Sequence, residues 1–504
     1  MVLVELARFA RRVVMVRRPR VAAPGGTEVA DARRLADSER AAGRVPDGCA
    51  WLDERTVGDL DLPLVFRALD RTATPTGAQV LWRWLAAPAV QLDVLAGREH
   101  AFCRFAADPG LRERARAALV GQSSSDAVHL PRLLWESPRP PRGASWFAAL
   151  AVALVVLIAL VAWSPIFLIA CVALFVVNLV IDDWAGLGLA HHARALEVLS
   201  WALAAAKRLS DRGIAADAEV ARTLARLAPL RAQLHLLTAR DPLGLVDAVR
   251  AGLLIRPLLI TRYLRVVERE RDALRQLVVW LGELDAAVAV ATLRTERPAA
   301  RVPELTAQPH RLDARDIVHP AITGAIGNDL VADGGLLVTG SNMSGKSTFL
   351  RTVAINAICA QSIHTVFGQW QASLLRVFAV MRVADATADG MSTYAVEVAA
   401  IGALVDAVAN RDPDLPALLV IDEPFSGTNP ALRVPIVVSV LDYLGARDVV
   451  IAATHDLDVA AQVGPRFARG YFCEPDDATG RFDRKLRPGV APTSNALALL
   501  VRAG

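Results

Sequence analysis

The residues that could do chemistry begin with Gly340-Ser341-Asn342-Met343-Ser344-Gly345-Lys346-Ser347, which fit the pattern G-x-x-x-x-G-K-[ST] at every fixed position. The apolar stretch 335–339 before them predicts a short buried strand, and residues 348–355 after them predict a helix. In such a turn, successive backbone N–H groups and a helix N-terminus surround phosphate oxygens with partial positive charge. We expect Lys346 to reach the β- and γ-phosphates of a nucleotide and the Ser347 hydroxyl to bind Mg²⁺. The alternative, a Gly/Ser turn with an unrelated lysine, leaves the flanking strand and helix unexplained.

A second apolar run, residues 417–421, ends in the acids Asp422 and Glu423. It predicts a buried strand with both carboxylates at its end, next to the phosphate loop. There Asp422 can hold the Mg²⁺ shell, and Glu423 can orient or deprotonate an attacking water. Alone, an apolar strand that ends in Asp-Glu is a weak signal, but after a complete phosphate-loop pattern it is a strong one.

A third apolar run, residues 449–453, ends in Thr454 and His455. It predicts another buried strand, whose terminal histidine could hydrogen-bond the γ-phosphate. A lone histidine at a strand end is more often structural, but its position after the acidic strand favours the sensing role. Lys346, Glu423 and His455 are therefore the predicted catalytic residues.

Composition limits the possible classes of protein. A chain of 504 residues predicts several domains, and its 54% hydrophobic content is high for a purely soluble protein. The mean hydropathy of +0.35 agrees with a membrane segment. The net charge of +4 permits contact with nucleic acid or anionic lipid without indicating either. The five cysteines include no C-x-x-C pair, which argues against a zinc site or a disulfide framework and favours a reducing, cytosolic setting.

Residues 145–181 contain no charged side chain and are interrupted only by Trp163-Ser164-Pro165. A single helix over this run would far exceed the roughly 20 residues that span a bilayer, whereas a turn at the proline divides it into Trp146–Ala162 and Pro165–Ile181. Tryptophans lie near both ends and the turn, and two arginines precede the first span, as expected of a cytoplasmic flank. We predict a transmembrane helical hairpin over residues 145–183. The alternative is a buried helical hairpin inside a large core.

The remaining domain limits follow from periodicity and composition. Residues 1–50 are a basic N-terminal segment and linker, whose start is either a helix on the membrane surface or an arm that is solvated or packed on the body. Helical periodicity over 51–144 and 184–300 predicts the two parts of a helical core and lever, and residues 301–504 contain the strands and the phosphate loop. The predicted fold class is α and α/β, with a helical core, the hairpin and a C-terminal P-loop domain.

The phosphate loop resembles that of the MutS family, which typically reads T-G-P-N-M-G-G-K-S-T where this chain has residues 339–348. Asn342 and Met343 are diagnostic, because other nucleotide-binding loops rarely contain them. Residues 385–397 look like the signature segment of that family. Further landmarks that resemble it are Gly427-Thr428-Asn429, Thr454-His455, residues 485–490 and, less specifically, residues 70–77.

The resemblance implies an ABC-class ATPase in which two subunits sandwich two ATP molecules with Mg²⁺. Residues 340–348, from Gly340 to Thr348, would bind the subunit's own ATP together with Asp422, Glu423 and His455. Ser392 and Thr393 would act on the γ-phosphate held by the neighbouring subunit. In relatives an aromatic ring stacks on adenine near the position of residues 326–328, where this sequence has none.

The departures from the family affect the expected function. Mismatch repair proteins of this family wedge a Phe-x-Glu element into mismatched DNA, and no such motif or room for its domain occurs before residue 50. The hydrophobic hairpin replaces the long clamp that closes around the duplex. We therefore predict a MutS-like ATPase that is integral to the cell membrane through residues 146–181, forms a homodimer, and has its ATPase domain in the cytoplasm.

Two other functions are open. A DNA-binding mismatch repair or recombination ATPase tethered to the membrane would place basic helices of residues 220–275 on phosphates. An ABC-type transporter ATPase is disfavoured, because the chain has no L-S-G-G-Q signature and one hairpin per subunit is too little membrane for a translocation path.

Overall fold

A computed structural model describes most of the chain. The described residues are 27–121, 127–136, 144–214, 218–238, 245–308, 310–341, 344–381, 393–427, 429–473 and 482–491. The predictions for the basic segment 1–20, for Asn342 and Met343, and for Ser392 fall outside these residues.

The chain divides into two compact units. The first comprises Met1–Arg44, Thr72–Leu81 and Asp108–Val288, and the second comprises Val45–Arg71, Trp82–Ala107 and Ala289–Gly504. Parts of the predicted helical core therefore cluster with the strand-containing region. The sequence-based domain limits themselves stay predictions.

Helices make up the described chain up to residue 296. They are α1 (Val29–Ala32), α2 (Arg34–Ala41), α3 (Glu54–Asp59), α4 (Leu62–Leu69), α5 (Pro75–Ala86), α6 (Leu92–Ala107), α7 (Pro109–Leu119), α8 (His129–Trp135), α9 (Ala144–Val161), α10 (Phe167–Asp211), α11 (Ala218–Arg226), α12 (Ala228–Thr238), α13 (Leu245–Gly252), α14 (Ile255–Arg269) and α15 (Arg271–Glu296). A boundary between the two units falls within α5, and another falls within α15.

In the first unit, a carboxylate from α15 closes the N-terminus of α5. Asp285 is fully buried and accepts hydrogen bonds from the Ala73 N–H at 2.9 Å and the Thr74 N–H at 2.8 Å. The Thr74 hydroxyl donates a third, at 2.6 Å. A β-carbon at Gly77 would lie 2.2 Å from Asp285 Oδ2, so only glycine leaves room for the carboxylate. An anion at a helix N-terminus is stabilised by the partial positive charge there.

The charge-free segment forms two helices that meet at a short turn. Helix α9 ends at Val161 and α10 begins at Phe167, so the chain turns where the proline predicts it. The second helix is 45 residues long and continues well beyond the predicted span. Large apolar side chains of the pair are exposed, and Trp163 in the turn between the helices is 89% exposed.

Two helices are long and apolar enough to cross a membrane, by length and composition alone, among the described residues. In Phe167–Ala185 only 11% of the apolar window is buried, whereas in Arg271–Glu296 the buried share is 72%. The second is thus mostly a core helix of the protein. Trp146–Val161 is a shorter apolar helix.

One stripe of the α9–α10 pair is covered by α13 and α14. Phe147 and Leu154 of α9 are buried, as are Asn178 and Asp182 of α10. The Asn178 amide donates a hydrogen bond of 2.7 Å to the carbonyl oxygen of Gly252, at the end of α13. The pair therefore has one face packed on protein and another that is apolar and uncovered.

The second unit contains the strands and four further helices. In chain order they are β1 (Ala300–Arg301), β2 (Glu304–Leu305), β3 (Arg311–Ile317), β4 (Asn328–Asp333), β5 (Gly335–Thr339), α16 (Lys346–Ser362), β6 (Val366–Phe367), β7 (Gln369–Ala372), β8 (Arg376–Val380), α17 (Thr393–Ala409), β9 (Ala417–Asp422), α18 (Pro430–Gly445), β10 (Val449–Thr454), α19 (Leu457–Gln462), β11 (Phe467–Phe472) and β12 (Leu486–Pro488).

The main sheet has six strands in the order β12-β11-β5-β10-β9-β8, and a four-stranded sheet has the order β2-β7-β3-β4. In the main sheet, β11, β5, β10, β9 and β8 are parallel neighbours. Strands β5, β9 and β10 are buried throughout, as expected of parallel strands covered on both faces. The three apolar runs predicted as buried strands are thus confirmed.

Helix α3 covers the free edge of β8. The Thr56 hydroxyl accepts a hydrogen bond from the Ala379 N–H at 3.0 Å, and Asp59 Oδ2 accepts one from the Met381 N–H at 2.9 Å. Side chains thereby satisfy backbone donors that an exposed edge would leave open to pairing with another chain.

A half-buried polar cluster joins α6, α15 and the turn after α16. The Arg294 guanidinium forms two hydrogen bonds with the Glu99 carboxylate, at 2.8 and 2.7 Å, and a third with the carbonyl oxygen of His364. The His364 ring lies 2.9 Å from Glu99 Oε2. Burial opposes ionisation of Glu99, but the hydrogen bonds from His364 and Arg294 outweigh it and hold the pKa of Glu99 well below its ordinary value.

Candidate functional site

Strand register brings the predicted site residues to one edge of the main sheet. Thr339 pairs with Thr454, and Asp422 pairs with Ala453. The residues that follow these strands therefore emerge side by side at the carboxyl ends of β5, β10 and β9. This is the edge at which open α/β sheets bind ligands.

The loop between β5 and α16 turns on two glycines. Gly340 has φ 140° and Gly345 has φ 110°, values that residues with a β-carbon rarely adopt. The Ser344 hydroxyl donates a hydrogen bond of 2.8 Å to the carbonyl oxygen of Ser341. Lys346 is 3% exposed, and its Nζ donates hydrogen bonds to Gly340 O at 2.7 Å and Ser341 O at 2.9 Å. The ammonium group thus lies inside the curve of the loop.

Asp422 lies at the end of β9, opposite the start of α16. The Ser347 hydroxyl hydrogen-bonds its carboxylate. Burial raises the pKa of Asp422, and the neighbouring Glu423 charge adds to the increase. Its Oδ1 atom is buried without a hydrogen-bond partner. A buried carboxylate with a free oxygen next to a hydroxyl matches the hard oxygen ligands that Mg²⁺ prefers, so these residues fit the predicted metal.

Glu423 lies between a cation and a histidine. Its Oε1 is 3.3 Å from Lys346 Nζ, and its Oε2 makes a close contact with His455 Nδ1. Burial opposes ionisation of this carboxyl, but the His455 hydrogen bond and the Lys346 charge outweigh it, so the pKa of Glu423 is lowered. The residue has a φ of 51°, a strained conformation that aims its side chain into the cluster. Glu423 is therefore held as a carboxylate, the form that a general base requires.

The structure brings together five predicted residues: Lys346, Ser347, Asp422, Glu423 and His455. Thr348 follows in the first turn of α16. Thr393 is the first residue of α17, and only its backbone is described. Asn342, Met343 and Ser392 lie outside the described residues, so their predicted roles stay predictions.

Glu397 is a residue whose role the sequence did not reveal. It lies one turn after Thr393 on α17, is 9% exposed, and accepts hydrogen bonds from the Ser426 hydroxyl at 2.7 Å and the Gly427 N–H at 3.2 Å. The helix that follows the signature segment is thereby tied to the turn after Glu423. An acid four residues after a helix start is a common surface pattern, so only the contacts distinguish this one.

The region expected near adenine is built from polar backbone contacts. Asn328 donates a hydrogen bond of 3.1 Å to Arg484 O and accepts one of 2.7 Å from the Leu486 N–H. Ile326, at 40% exposure, presents an aliphatic side chain on the same loop. The residues at 326–328 contain no aromatic ring, as the sequence shows.

Comparison with known proteins agrees with this geometry. Residues 336–497 match the family model described as MutS domain V. The DNA mismatch repair protein MutS 2 of Haloarcula marismortui is 34% identical over 175 residues, which are 33% of this chain and 18% of the relative. The DNA mismatch repair protein MutS of Chloroflexus aurantiacus is 31% identical over 258 residues, covering 46% of this chain and 25% of the relative. The DNA mismatch repair protein MutS of Thermus thermophilus is 30% identical over 245 residues, covering 47% of this chain and 29% of the relative.

The second unit is a parallel-sheet α/β domain whose charged residues converge at the strand ends. Residues 336–497 of this unit match MutS domain V, and through this domain the chain is similar to MutS proteins. In MutS proteins this domain is the ATPase region. The chain spans less than a third of the length of the relatives compared.

Proposed function

We propose that the protein is a membrane-anchored, Mg²⁺-dependent ATPase whose hydrolysis moves its helical lever. The observation that carries the proposal is the convergence of Lys346, Glu423 and His455 at the strand ends, with a 3.3 Å separation between the ammonium and the carboxylate. These are the charge types that phosphoryl transfer needs, namely a cation for the phosphate oxygens and a base for water.

In this proposal Lys346 exchanges its bonds to the loop carbonyls for oxygens of the β- and γ-phosphates. Glu423 then loses the cation beside it and accepts a proton from a water that attacks the γ-phosphorus in line, as the bond from that phosphorus to the departing ADP oxygen breaks. His455 keeps the carboxylate oriented. Ser347 and Asp422 would hold Mg²⁺, which supplies charge neutralisation at the phosphates. The backbone N–H groups of the loop and of the α16 N-terminus bind the remaining oxygens.

The hydrolysis test uses the full chain in detergent or in lipid nanodiscs. Glu423→Gln should lower the rate of ATP hydrolysis by about 10²–10⁴-fold while ATP binding persists, because the amide keeps the shape but cannot take the proton. Ser439→Ala, on the outer part of α18, serves as the control and should hydrolyse ATP at the wild-type rate. Equal rates for Glu423→Gln and wild type would refute the assigned role.

The uncovered apolar face of α9 and α10 supports membrane anchoring. Residues such as Ile166 and Ile169 are 69% and 74% exposed, and this exposure continues along the predicted spans. Contiguous apolar surface of this kind marks a membrane or protein contact, and the 19-residue apolar stretch Phe167–Ala185 of the second helix is long enough to span a bilayer. The proposed site is the cell membrane, with the second unit in the cytoplasm.

Fractionation tests the anchor. The full chain should sediment with membranes after a carbonate wash and should be released by detergent. Recovery in the soluble fraction without detergent would contradict the anchor. A comparison with a chain in which Val155, Ile158 and Ile169 are changed to Ser shows whether these exposed side chains carry the association.

The names of the relatives favour a second candidate, a tethered ATPase that acts on DNA. Duplex binding through basic helices should be strong at low salt and fall steeply as salt rises, because counterions are released. A duplex-binding titration at low salt distinguishes the candidates. If no binding occurs there, the DNA function fails while the ATPase proposal stands.

A further inference from the structure

The first unit contains a polar cavity at the base of the apolar hairpin, and we propose that it binds a phospholipid headgroup that carries a primary ammonium group. This inference rests on the membrane anchor proposed above. The cavity has a volume of 310 Å³ and lies between α10, α12 and α14. Clefts of roughly this size hold small organic groups.

Asp182 provides the first argument. Its side chain lines the cavity and is 6% exposed, and its Oδ1 atom is buried without a hydrogen-bond partner. The charged groups that act on it are Arg256, Asp183 and Asp247, and the described ion pairs include none between Asp182 and Arg256. A buried carboxylate oxygen without a donor is costly, so a ligand that brings an N–H⁺ donor would be favoured.

Two arginines of the cavity complement a phosphate. Arg194 and Arg256 line it together with Glu197, and all three are exposed. Arginine binds phosphate oxygens through a planar pair of donors. A ligand with an ammonium group at the buried carboxylate and a phosphate at the outer arginines would use both ends of the cavity.

The position along α10 identifies a lipid as the source. Asp182 directly follows the predicted span that ends at Ile181, and Trp184 is 75% exposed. Exposed tryptophans at the end of an apolar span favour the headgroup region of a bilayer. The cavity therefore lies at the depth of lipid phosphates and amines. Phosphatidylethanolamine has N–H donors for Asp182, whereas phosphatidylcholine, with a trimethylated nitrogen, has none.

The experiment measures lipid binding to the full chain in nanodiscs that contain phosphatidylethanolamine, phosphatidylcholine or both, with retained lipids quantified by native mass spectrometry. Wild type should prefer phosphatidylethanolamine by about tenfold or more, the value of one hydrogen bond to a charged group. Asp182→Asn should reduce the preference, and Asp182→Leu, which fits a buried site without any acceptor, should abolish it. Asp183→Asn, whose side chain does not line the cavity, should keep it.

Two further measurements test the phosphate contact and whether the headgroup comes from a lipid. Arg256→Gln should weaken retention of both lipids, whereas Arg262→Gln on the same helix should not. Free phosphorylethanolamine that competes as well as the lipid would contradict the lipid source. Equal retention of the two lipids by wild type, or an unchanged preference in Asp182→Leu, would overturn the inference. Failure of the anchor itself would show as a soluble protein in fractionation, a separate result.

Discussion

The Asp422 carboxylate is 5% exposed, accepts a hydrogen bond from Ser347, and leaves Oδ1 without a partner. Burial disfavours its charged form, yet the proposed Mg²⁺ site needs that form. Glu423 is in the opposite situation, because Lys346 and His455 keep it ionised. Two adjacent carboxyls of one strand end therefore have pKa values shifted in opposite directions, because Asp422 is buried beside a negative charge whereas Glu423 faces His455 and Lys346.

Asp422→Asn should unfold at the same temperature as wild type or a few degrees higher in Mg²⁺-free buffer at neutral pH. The folded pKa of Asp422 is raised, so this group favours folding at low pH, and that contribution is lost as pH rises through the folded pKa. The advantage of the variant should thus grow as pH rises above about 4, the ordinary range of an aspartate. Thermal unfolding scans measure it.

The same scans contain an internal control for the metal role. Mg²⁺ with ATP should raise the unfolding temperature of wild type, because a ligand that binds only the folded state stabilises it. The unfolding temperature of Asp422→Asn should rise much less under the same conditions. A variant that is destabilised without ligand, or that gains as much as wild type with Mg²⁺ and ATP, would contradict the assignment.

At the scale of elements, long-range polar contacts hold helix ends in place. Asp285 closes the N-terminus of α5, and Glu99 connects α6 to Arg294 of α15. The Asp285 carboxylate is fully buried, the Glu99 carboxylate is half-buried, and both accept several hydrogen bonds, so each contact tolerates little change in volume or charge.

Gly77→Ala should destabilise the first unit by about 2 kcal/mol or more, because its β-carbon would lie 2.2 Å from Asp285 Oδ2. Gly110→Ala, in α7 of the same unit, meets only the ends of side chains at 3.2 Å or more and should change stability by less than about 1 kcal/mol. Urea unfolding followed by circular dichroism compares them. Equal stabilities for the two variants would show that the packing around Asp285 adapts.

Arg294→Met should cost about 3 kcal/mol, because it leaves the Glu99 carboxylate without its cation in a site where both side chains are mostly buried. Adding Glu99→Gln to that variant should recover part of the loss, and the double-mutant cycle measures the coupling between the two side chains. An additive cycle would mean that the pair contributes no specific interaction.

The pH dependence of the same variants provides an independent check. The folded pKa of Glu99 is depressed, so the pair contributes stability above the unfolded value near 4.5 and loses it as pH falls below that value. Wild type should therefore lose stability on acidification more steeply than Arg294→Met.

At the scale of the whole molecule, we propose that the site is half of a dimer. The signature segment would act on the neighbour's γ-phosphate, and Glu397 ties the helix after that segment to the turn beyond Glu423. Through Glu397, a change at the γ-phosphate of one subunit would reach the signature segment, which would contact the nucleotide of the other subunit. Nucleotide binding and pairing should therefore depend on each other.

Lys346→Ala should abolish ATP-driven dimerisation, measured as molar mass by light scattering on the detergent-solubilised chain. The variant loses the cation for the phosphates and leaves Glu423 without its nearest cation at 3.3 Å. Glu423→Gln, which should bind ATP without hydrolysing it, should remain dimeric for longer than wild type. An unaltered ATP-induced dimer in Lys346→Ala would show the assignment to be wrong.

The strand ends and the helical turn were determined by the sequence alone. Parallel strands covered on both faces are continuous apolar runs, so 417–421 and 449–453 predict strands and the positions of Asp422, Glu423 and His455 at their ends. Proline and a charge-free run likewise predict the turn between α9 and α10. In each case the physical cause is local, because burial and backbone preference are recorded in neighbouring residues.

Contacts between distant residues were decided only by the tertiary structure. Thr74 and Asp285 are 211 positions apart, and Glu99 and Arg294 are 195 apart. The unpartnered Oδ1 atom of Asp182 in its cavity and the hydrogen bonds of Glu397 also depend on the tertiary structure. Periodicity shows that a side chain is buried or lies on a given face, but the partner that covers it depends on how helices and strands pack. The same charged residue can therefore be a solvated surface group or a buried ligand, and only packing distinguishes the two.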